Sequence, residues 1–258
     1  MEKVYFVGAG PGDPELITVR GRKLLNQADV IIYAGSLVNP ELLNYAEGAE
    51  IYNSAGMDLE ELIEKMQTAV KEDKKVVRLH TGDPGLYGAL QEQLDLLYEE
   101  GIECEIIPGV SSFQAASATL KREYTLPEVA QTLILTRMEG RTSVPDSEQL
   151  KYLSQHNTSM AIFLSVHMID KVVEELKKEY PAATPAAVVQ KASWPEEKIV
   201  AGDLNNIAEK VDRADIDKTA LVLVGDFLAA GDYAFSKLYD SEFSHGFREA
   251  RPEGNEIE

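Results

Sequence analysis

The stretch that most constrains the fold of this chain is residues 76–88, which joins a short apolar run to a glycine-rich turn. Its branched and apolar residues are typical of a central parallel strand, and Gly82, Pro84 and Gly85 end that strand abruptly. Asp83 has the pattern of a helix N-cap, with Pro84 as the first helical residue. Ligands of open α/β sheets bind beyond the carboxyl ends of the strands. The stretch therefore predicts a binding site, although a capped turn without a ligand has the same pattern.

A second glycine loop, at residues 8–14, ends in the same tripeptide. Gly-Asp-Pro occurs at 12–14 and again at 82–84, each time after a predicted strand. Parallel strands present their carboxyl ends at one edge of a sheet, so Asp13 and Asp83 are expected to face one site. Two carboxylates favour a cationic or hydrogen-bond-donating ligand over a phosphate. S-adenosylmethionine, with its sulfonium, ammonium and ribose hydroxyls, is one such ligand among several.

Apolar runs alternate with helical patterns along the chain, which predicts an α/β fold with two α/β domains. The order of strands and helices in the first half implies a mainly parallel sheet. Two runs at 186–190 and 197–201 have the pattern of a hairpin, so the second sheet is expected to be mixed. We expect an N-terminal domain at 1–112, a C-terminal domain at 113–230, and an acidic, weakly ordered tail at 231–258.

The charge of the chain limits its partners. The 258 residues carry a formal net charge of −19 at pH 7, which disfavours nucleic acids and anionic membrane surfaces. Hydrophobic residues make up 44%, enough for a buried core in each domain. Cys104 is the single cysteine, so no intramolecular disulfide can form, and no apolar run reaches the length of a membrane span. We expect a cytoplasmic protein that is neither exported nor membrane-spanning.

The first glycine loop departs from the dinucleotide-binding fingerprint in several ways. Where the fingerprint has its third glycine, the chain has Asp13, a carboxylate that would repel a pyrophosphate. The second strand ends in Tyr33 and Ala34, without an Asp or Glu to hold a ribose. Pro11 and Pro14 remove two amide donors from the loop. A nicotinamide or flavin enzyme is therefore disfavoured, while a tight turn without a ligand would leave Asp13 unexplained.

Three motifs, in this order and spacing, resemble the tetrapyrrole methyltransferase family. They are Val-Gly-Ala-Gly-Pro-Gly-Asp-Pro at 7–14, Gly-Asp-Pro at 82–84 followed by Tyr87 and Gly88, and Pro-Gly-Val-Ser-Ser at 108–112. Any one motif alone would be weak, whereas the three together are specific. The resemblance covers most of the chain, from the first strand to the end of the second predicted domain.

Within that family, further segments are similar to the branch that methylates carbon 11 of cobalt-precorrin-4, giving cobalt-precorrin-5A, in anaerobic cobalamin (vitamin B12) biosynthesis. These segments are residues 52–57, 78–84, 135–142 and 191–195. Enzymes that act on metal-free precorrin-4 in the aerobic route share much of this pattern. The resemblance therefore implies a C-methyltransferase of tetrapyrroles, with either form of precorrin-4 as its acceptor.

The resemblance implies S-adenosylmethionine as the methyl donor, bound in an active-site cleft between the two domains of a homodimeric enzyme. Several donor contacts would use backbone groups, which small residues allow. By family analogy the donor-binding residues are Pro11, Gly82, Asp83, Tyr87, Ser111, Ser112, Leu164, Ala192 and Ala220. Leu164 ends a predicted strand and would equally suit a core position. Asp83 is expected to hold the amino-acid or ribose end of the donor, away from the sulfur.

The acceptor that the resemblance implies is an anionic corrinoid, which must dock on a protein of net charge −19. Local positive charge must oppose the overall charge, and arginine binds carboxylates in bidentate fashion. The candidate substrate-binding residues are Arg137, Glu139, Arg141 and Lys191. The first three lie in a loop that would close over the macrocycle, although an ordinary solvated loop has the same composition.

Two residues are candidates for catalysis because they could assist proton loss from the substrate. Asp13 and His80 both follow predicted strands at the expected ligand-binding edge. A buried His80 without a catalytic role fits the sequence equally well. No His/Cys cluster has the spacing of a metal site, so no protein-bound metal is expected.

Three rival functions remain open from the sequence. Another member of the same family would use a different acceptor, such as another corrinoid carbon, a protein side chain or RNA, the last disfavoured by the acidity of the chain. A nucleotide-dependent oxidoreductase is disfavoured by Asp13 and by the missing ribose carboxylate. A non-catalytic binding protein would keep the ligand site without turnover.

Overall fold

The computed structural model of the chain describes residues 3–229, 231 and 233–251. The chain divides into two compact units. Unit 1 comprises Met1–Leu120, Val189–Ile199 and Thr219–Leu221, and unit 2 comprises Lys121–Val188, Val200–Lys218 and Val222–Glu258. The predicted domains are continuous segments, whereas these units are interleaved. The difference arises because two short segments from the second half of the chain make their contacts within unit 1.

Unit 1 carries a sheet of five parallel strands. They are β1 (Val4–Gly8), β2 (Val30–Tyr33), β3 (Glu50–Asn53), β4 (Val76–His80) and β5 (Cys104–Ile107). Their order is β3-β2-β4-β1-β5, and each neighbouring pair is parallel. Every residue of the central strand β4 is buried, as expected for a parallel sheet that is covered on both faces. The carboxyl ends of all five strands therefore lie at one edge.

The helices of unit 1 cover the two faces of this sheet. They are α1 (Val19–Asn26), α2 (Leu59–Lys71), α3 (Leu90–Glu99) and α4 (Ser112–Leu120). Helix α2 begins in a capping box, in which the amides of Asp58 and Glu61 donate to each other's carboxylates at 3.1 and 2.9 Å. Its apolar face buries Met66 completely in one core cluster with Phe6 of β1. Burial of one such side chain stabilises the fold by about 1.5–3 kcal/mol.

The second sheet also has five strands, but their directions are mixed. They are β6 (Leu133–Arg137), β7 (Ser159–Phe163), β8 (Pro185–Gln190), β9 (Lys198–Asp203) and β10 (Ala220–Val224). Their order is β6-β7-β10-β8-β9, with β6 parallel and β10 antiparallel to β7. The accompanying helices are α5 (Leu150–Leu153), α6 (Ile169–Leu176) and α7 (Ile207–Arg213). The predicted fold class, a parallel sheet followed by a mixed one, is confirmed.

The helix predicted after β4 is present as α3, but its predicted start at Asp83 is wrong. Residues 84–87 form a turn, in which the Leu86 amide donates to the Asp83 carbonyl at 3.2 Å, and α3 begins only at Leu90. Tyr87 and Ala89 have φ angles of 54° and 47°, a left-handed conformation that cannot continue a helix. Asp83 therefore caps a turn, and the residues after it form a loop.

The predicted tail at 231–258 is described only in part, because residues 232 and 252–258, like residue 230 before it, lie outside the described residues. In the described part, the Arg248 guanidinium donates to the carbonyl oxygens of Leu238 and Phe243 at 3.1 and 3.4 Å. The weak order expected of this tail stays a prediction. In the ranges given above, no helix combines the length and the apolar character needed to cross a membrane.

Candidate functional site

Three glycines bring the ends of β4, β1 and β5 into direct backbone contact. Gly8 ends β1, while Gly82 and Gly109 follow β4 and β5. A Cβ atom on Gly109 would lie 2.1 Å from the Gly82 carbonyl oxygen and 2.8 Å from the Gly8 Cα atom. A Cβ atom on Gly8 would lie 2.6 Å from the Gly109 Cα atom. Side chains are therefore excluded from both positions, and the three loops pack backbone against backbone.

The two glycine loops are also joined by hydrogen bonds. The Gly82 amide donates to the Gly10 carbonyl oxygen at 2.9 Å, and the Gly10 amide donates to the Gly82 carbonyl oxygen at 3.3 Å. Both glycines adopt a left-handed backbone, with φ of 79° at Gly10 and 59° at Gly82. The Ala9 amide donates to the His80 carbonyl oxygen at 2.7 Å. The loops predicted separately from sequence thus form one rigid edge.

The carboxylate of Asp83 bridges two of these loops. One oxygen accepts a hydrogen bond from the Gly85 amide at 2.8 Å, within its own turn. The other accepts from the Gly109 amide at 2.9 Å, in the loop after β5. Such bonds to an ionised acceptor are short and strong, so they hold the negative charge in one place. Asp83 is a structural part of this edge, a role that the sequence did not indicate.

Asp13, in the other Gly-Asp-Pro turn, has a different environment. Its carboxylate accepts from the Glu15 amide at 2.8 Å and caps the short 3-10 turn Pro14–Leu16. Its backbone amide donates to the Ser193 hydroxyl at 3.0 Å. The side chain is half-buried, and among the residues that the structure describes it bonds within its own loop. The two carboxylates therefore differ in what they hold together, although their sequence context is the same.

His80 is buried at the end of β4, with 3% of its surface exposed. Its ring lies 5.7 Å from the Phe6 ring, and its Nε2 atom has no hydrogen-bond partner among the described residues. Burial lowers the pKa of His80 to about 3, and the nearby positive charge of Arg78 adds to this effect. Arg78 is itself buried, where it donates to the Gln93 side chain at 3.1 Å and to the Ile32 carbonyl oxygen at 3.2 Å. At neutral pH the His80 ring is therefore uncharged.

Three other predicted donor-binding residues lie in the loops after β4 and β5. Tyr87 is 46% exposed and has a left-handed backbone. Ser111 is buried directly before α4, where its amide donates to the Gln114 side chain at 2.9 Å. Ser112 is the first residue of that helix. Pro11, Gly82 and Asp83 lie in the loops already described, so unit 1 brings these residues to one edge of the parallel sheet.

The loop between β8 and β9, which belongs to unit 1, adds contacts that sequence reasoning missed. The Trp194 indole donates to the Pro11 carbonyl oxygen at 2.8 Å. Ala192 is buried in this loop, and the Lys191 ammonium lies 3.7 Å from the Glu196 carboxylate. The Lys191 amide donates to the carbonyl oxygen of Thr219, the neighbour of Ala220, at 2.8 Å. A signal was present in the sequence, because Trp194 is the single tryptophan and lies in a turn.

Unit 2 places its own candidates in the loops after the parallel strands β6 and β7. The Arg137 guanidinium donates to the carbonyl oxygens of Thr142 and Ser143 at 3.1 and 2.5 Å, so it holds its own loop together. The Met138 amide donates to the Ser165 hydroxyl at 2.9 Å, which joins this loop to the one after β7. Glu139 and Arg141 are exposed within the first of these loops. Leu164, in the second, is 62% exposed with a φ of 54°, and it is not a core residue.

The residues at the edge of the parallel sheet fit a small cationic ligand with an aromatic part. Asp83 supplies a fixed negative charge, and the exposed Tyr87 ring supplies an apolar surface in the same loop. In the part of the chain that is described, no three His, Cys, Asp or Glu side chains are placed to hold a metal ion. A separate groove of about 780 Å³ lies between β3 and α2, lined by Tyr52 and Lys65 among others.

Known proteins resemble this chain in sequence and in fold. Residues 3–208 match the family described as Tetrapyrrole (Corrin/Porphyrin) Methylases. A protein of Methanocaldococcus jannaschii named cobalt-precorrin-4 C(11)-methyltransferase is 60% identical over 96% of both chains. A solved structure of a cobalt precorrin-4 methyltransferase has a TM-score of 0.86 at 48% identity, covering 88% of this chain and 95% of that one.

A third likeness concerns the donor. The uroporphyrin-III C-methyltransferase of Thermus thermophilus, solved in complex with S-adenosylhomocysteine, has a TM-score of 0.74 at 27% identity. It covers 88% of this chain and 93% of that one. The resemblance noted in the sequence is confirmed, as is the expectation of a methyltransferase. This chain belongs to the tetrapyrrole (corrin/porphyrin) methylase family.

Proposed function

We propose that this protein transfers a methyl group from S-adenosylmethionine to carbon 11 of cobalt-precorrin-4, giving cobalt-precorrin-5A. The main support for this acceptor is the 60% sequence identity to the Methanocaldococcus jannaschii enzyme. That similarity extends over nearly the whole of both chains. The solved cobalt precorrin-4 methyltransferase supports the same acceptor. Both proteins carry cobalt in the name of their substrate, which favours the anaerobic route over metal-free precorrin-4.

The donor is assigned to the loops at the carboxyl edge of the parallel sheet. When bound there, S-adenosylmethionine supplies a methyl group made electrophilic by a sulfonium centre. Asp83 is suited to hold a positively charged or hydroxyl-bearing end of the donor, because two amides fix its carboxylate. The other proposed contacts in unit 1, many of them through backbone groups, are Pro11, Gly82, Tyr87, Ser111, Ser112, Ala192 and Ala220. A contact from Leu164 rests on the family resemblance alone.

The rigidity of these loops is itself a contribution to the reaction. Methyl transfer to carbon needs donor and acceptor held about 3–3.5 Å apart and in line, and placing them so supplies much of the rate. Loops that pack backbone against backbone at Gly8, Gly82 and Gly109 have little freedom to move. The protein therefore acts chiefly by orientation.

The carboxylates of the macrocycle need basic partners on an acidic protein. We assign this role to Arg141 and Lys191, because both side chains are positively charged. Arg141 is exposed, and Lys191 is only half-buried, so a ligand can reach both. Arg137 keeps the loop of Glu139 and Arg141 in shape through its bonds to backbone carbonyls. If the acceptor loses a proton to the protein, Asp13 is a better candidate than His80, because Asp13 is only half-buried whereas burial opposes the positive charge that His80 would gain.

Turnover with purified protein tests this function. Incubation with S-adenosylmethionine and cobalt-precorrin-4 should add one methyl group, detected by mass spectrometry and assigned to carbon 11 by NMR. Metal-free precorrin-4 in a parallel reaction should be methylated more slowly. Methylation at another carbon, or faster turnover of uroporphyrinogen III than of cobalt-precorrin-4, would contradict the proposed acceptor.

Two further parts of the proposal concern the state of the enzyme. We propose that it works as a homodimer, as the family resemblance implies, and in the cytoplasm, as its single cysteine suggests. Light scattering of the purified protein should give twice the monomer mass of 28.5 kDa. A monomer that is fully active would contradict the dimer without affecting the proposed reaction.

A further inference from the structure

The loop at residues 191–197 is built around the single tryptophan of the chain. The Trp194 amide donates to the Lys191 carbonyl oxygen at 2.9 Å, and the Glu197 amide donates to the Trp194 carbonyl oxygen at 3.1 Å. Lys191 and Ser193 have left-handed backbones, with φ of 48° and 68°. Non-glycine residues adopt this conformation at a cost, which surrounding contacts must offset. The loop is therefore held in a defined shape by what it contacts.

Its main contact is the first glycine loop. The Trp194 indole nitrogen donates to the Pro11 carbonyl oxygen at 2.8 Å. The ring packs so closely that a Cβ atom on Gly12 would lie 2.1 Å from the Trp194 Cδ1 atom. From another element, the buried Asn39 side chain donates to the Gly12 carbonyl oxygen at 2.9 Å. Two successive carbonyl groups of the loop are thus fixed by side chains from elsewhere in unit 1.

A second set of bonds fixes the next residue. The Asp13 amide donates to the Ser193 hydroxyl at 3.0 Å, and the Ser193 amide donates to the Glu197 carboxylate at 2.7 Å. The same Glu197 oxygen accepts from the Thr119 hydroxyl at 2.9 Å, at the end of α4. The loop at 191–197 therefore connects the first glycine loop to the helix that begins at Ser112.

We propose that Trp194 is a positioning residue for the methyl donor: its indole N–H and ring hold Pro11 and Gly12 in the conformation that donor binding requires. The inference rests on the donor site proposed above. Without these contacts the backbone of 11–13 would have to be ordered at the moment of binding, and that ordering would weaken affinity. Ser193 and Glu197 support the same loop through the Asp13 amide.

Calorimetric titration with S-adenosylhomocysteine tests the inference. Trp194→Phe keeps an aromatic side chain in the loop but removes the indole donor and part of the ring that packs against Gly12, so its dissociation constant should rise about three- to tenfold. Ser193→Ala, which leaves the ring untouched, should raise the dissociation constant about threefold. Glu196→Gln is the matched control, because this exposed glutamate neighbours Glu197 and contacts neither Pro11 nor Asp13. Its affinity should equal that of wild type.

Two readouts separate positioning from a merely structural role. At saturating macrocycle, Trp194→Phe should raise KM for S-adenosylmethionine while kcat stays within about twofold of wild type. In wild type, S-adenosylhomocysteine should shift the emission of the single tryptophan, since its indole contacts the proposed donor loop. Measured thermal unfolding without ligand identifies any variant that has lost its fold.

The outcomes distinguish this inference from the function on which it rests. If wild type binds S-adenosylhomocysteine and both Trp194→Phe and Ser193→Ala bind it equally well, Trp194 does not position the donor. If wild type itself fails to bind S-adenosylhomocysteine, the proposed donor is wrong, and the inference fails with it.

Discussion

Two sets of loops differ in the contacts that hold them: those after the parallel sheet of unit 1, and those after β6 and β7 of unit 2. In unit 1 the contacts are between backbones, and Gly8 and Gly109 leave no room for a side chain. In unit 2 a long side chain, Arg137, ties the loop together through carbonyl oxygens, and Arg141 projects from an exposed segment. The first arrangement fixes atoms in place, whereas the second presents charge.

This difference suits the two ligands that the proposed reaction needs. A small donor must be held in one orientation, which backbone contacts provide at little cost in side-chain entropy. A large anionic macrocycle needs positive charge that can reach its carboxylates, which an exposed arginine provides. Substitutions at the packed glycines and at Asp83 should therefore change stability and donor binding together, while substitution of the exposed Arg141 should change macrocycle binding alone.

The largest effect is expected for Gly109→Ala. The new Cβ atom would lie 2.1 Å from the Gly82 carbonyl oxygen, so the ends of two strands must separate. We expect a loss of about 3 kcal/mol in the free energy of unfolding, measured in urea, because a backbone contact cannot relax locally. Gly56→Ala is the control, since nothing lies within 4 Å of its added Cβ atom. Equal stability of the two variants would show that the unit 1 loops do not depend on the close backbone contact at Gly109.

Next comes the pair Asp83→Ala and Asp13→Ala, which separates the two Gly-Asp-Pro turns. Asp83→Ala removes two charge-assisted bonds, one within its own turn and one to the loop after β5, so it should cost about 2–3 kcal/mol of stability and abolish binding of S-adenosylhomocysteine in calorimetry. Asp13→Ala removes one local cap, so it should cost about 1 kcal/mol and leave donor affinity within about threefold.

For this pair, the kinetic result matters as much as the stability. If Asp13 accepts a proton from the macrocycle, Asp13→Ala should lower kcat by about a hundredfold while donor affinity persists. Similar losses of donor affinity in both variants would show that Asp13 and Asp83 contribute alike to donor binding. The assignment of different roles to the two carboxylates would then be wrong.

A smaller effect is expected for Arg141→Glu in unit 2. Charge reversal on an exposed side chain should leave stability within about 0.5 kcal/mol. It should raise KM for the macrocycle about tenfold without changing affinity for S-adenosylhomocysteine. Lys171→Glu, an exposed reversal on α6 of the same unit, is the control for the change in net charge. An unchanged KM would remove Arg141 from the proposed substrate site.

The smallest effect at neutral pH is expected for His80→Gln. Burial lowers the pKa of His80 to about 3 in the folded state, whereas an unfolded ring titrates near the ordinary value of about 6.5. Between these values only the unfolded state binds the proton, so wild-type stability falls as pH drops through this window. Relative to His80→Gln, wild type should lose up to about 1.4 kcal/mol per pH unit there.

Chemical unfolding at a series of pH values measures this difference directly. Above about pH 7 the two unfolding free energies should run parallel, because the ring is neutral in both states. Parallel curves down to about pH 4 would mean that the folded ring takes up its proton normally. The ring would then be less buried than the structure indicates, and its exclusion from proton transfer would lose its basis.

Local patterns predicted much of the fold. The run before Gly82 was expected to form a central parallel strand, and it matches β4. The helix expected to start at Asp83 begins only at Leu90, because the Asp83 carboxylate bonds to the Gly109 amide, 26 residues away, and Tyr87 adopts a left-handed conformation. A single stretch of sequence cannot show which distant amide a carboxylate will meet.

The candidate site was predictable to a similar extent. Glycines at the ends of β1 and β4 marked the edge of the sheet, because only tight turns require them there. The contact between Trp194 and Pro11 joins positions 183 residues apart, so no local periodicity could reveal it. The burial of His80 was one of two interpretations that the sequence left open. The bonds from Arg137 to the carbonyl oxygens of its own loop were not predicted, and its expected contact with the substrate stays a prediction.

A crystal structure of the protein with S-adenosylhomocysteine would show whether the donor binds at the carboxyl edge of the parallel sheet. We expect the ligand to lie against residues 10–13, 81–88 and 109–112, within hydrogen-bonding distance of their backbone groups and of the Asp83 carboxylate. Ligand density in the groove of about 780 Å³ between β3 and α2, with the glycine loops uncontacted, would contradict this expectation.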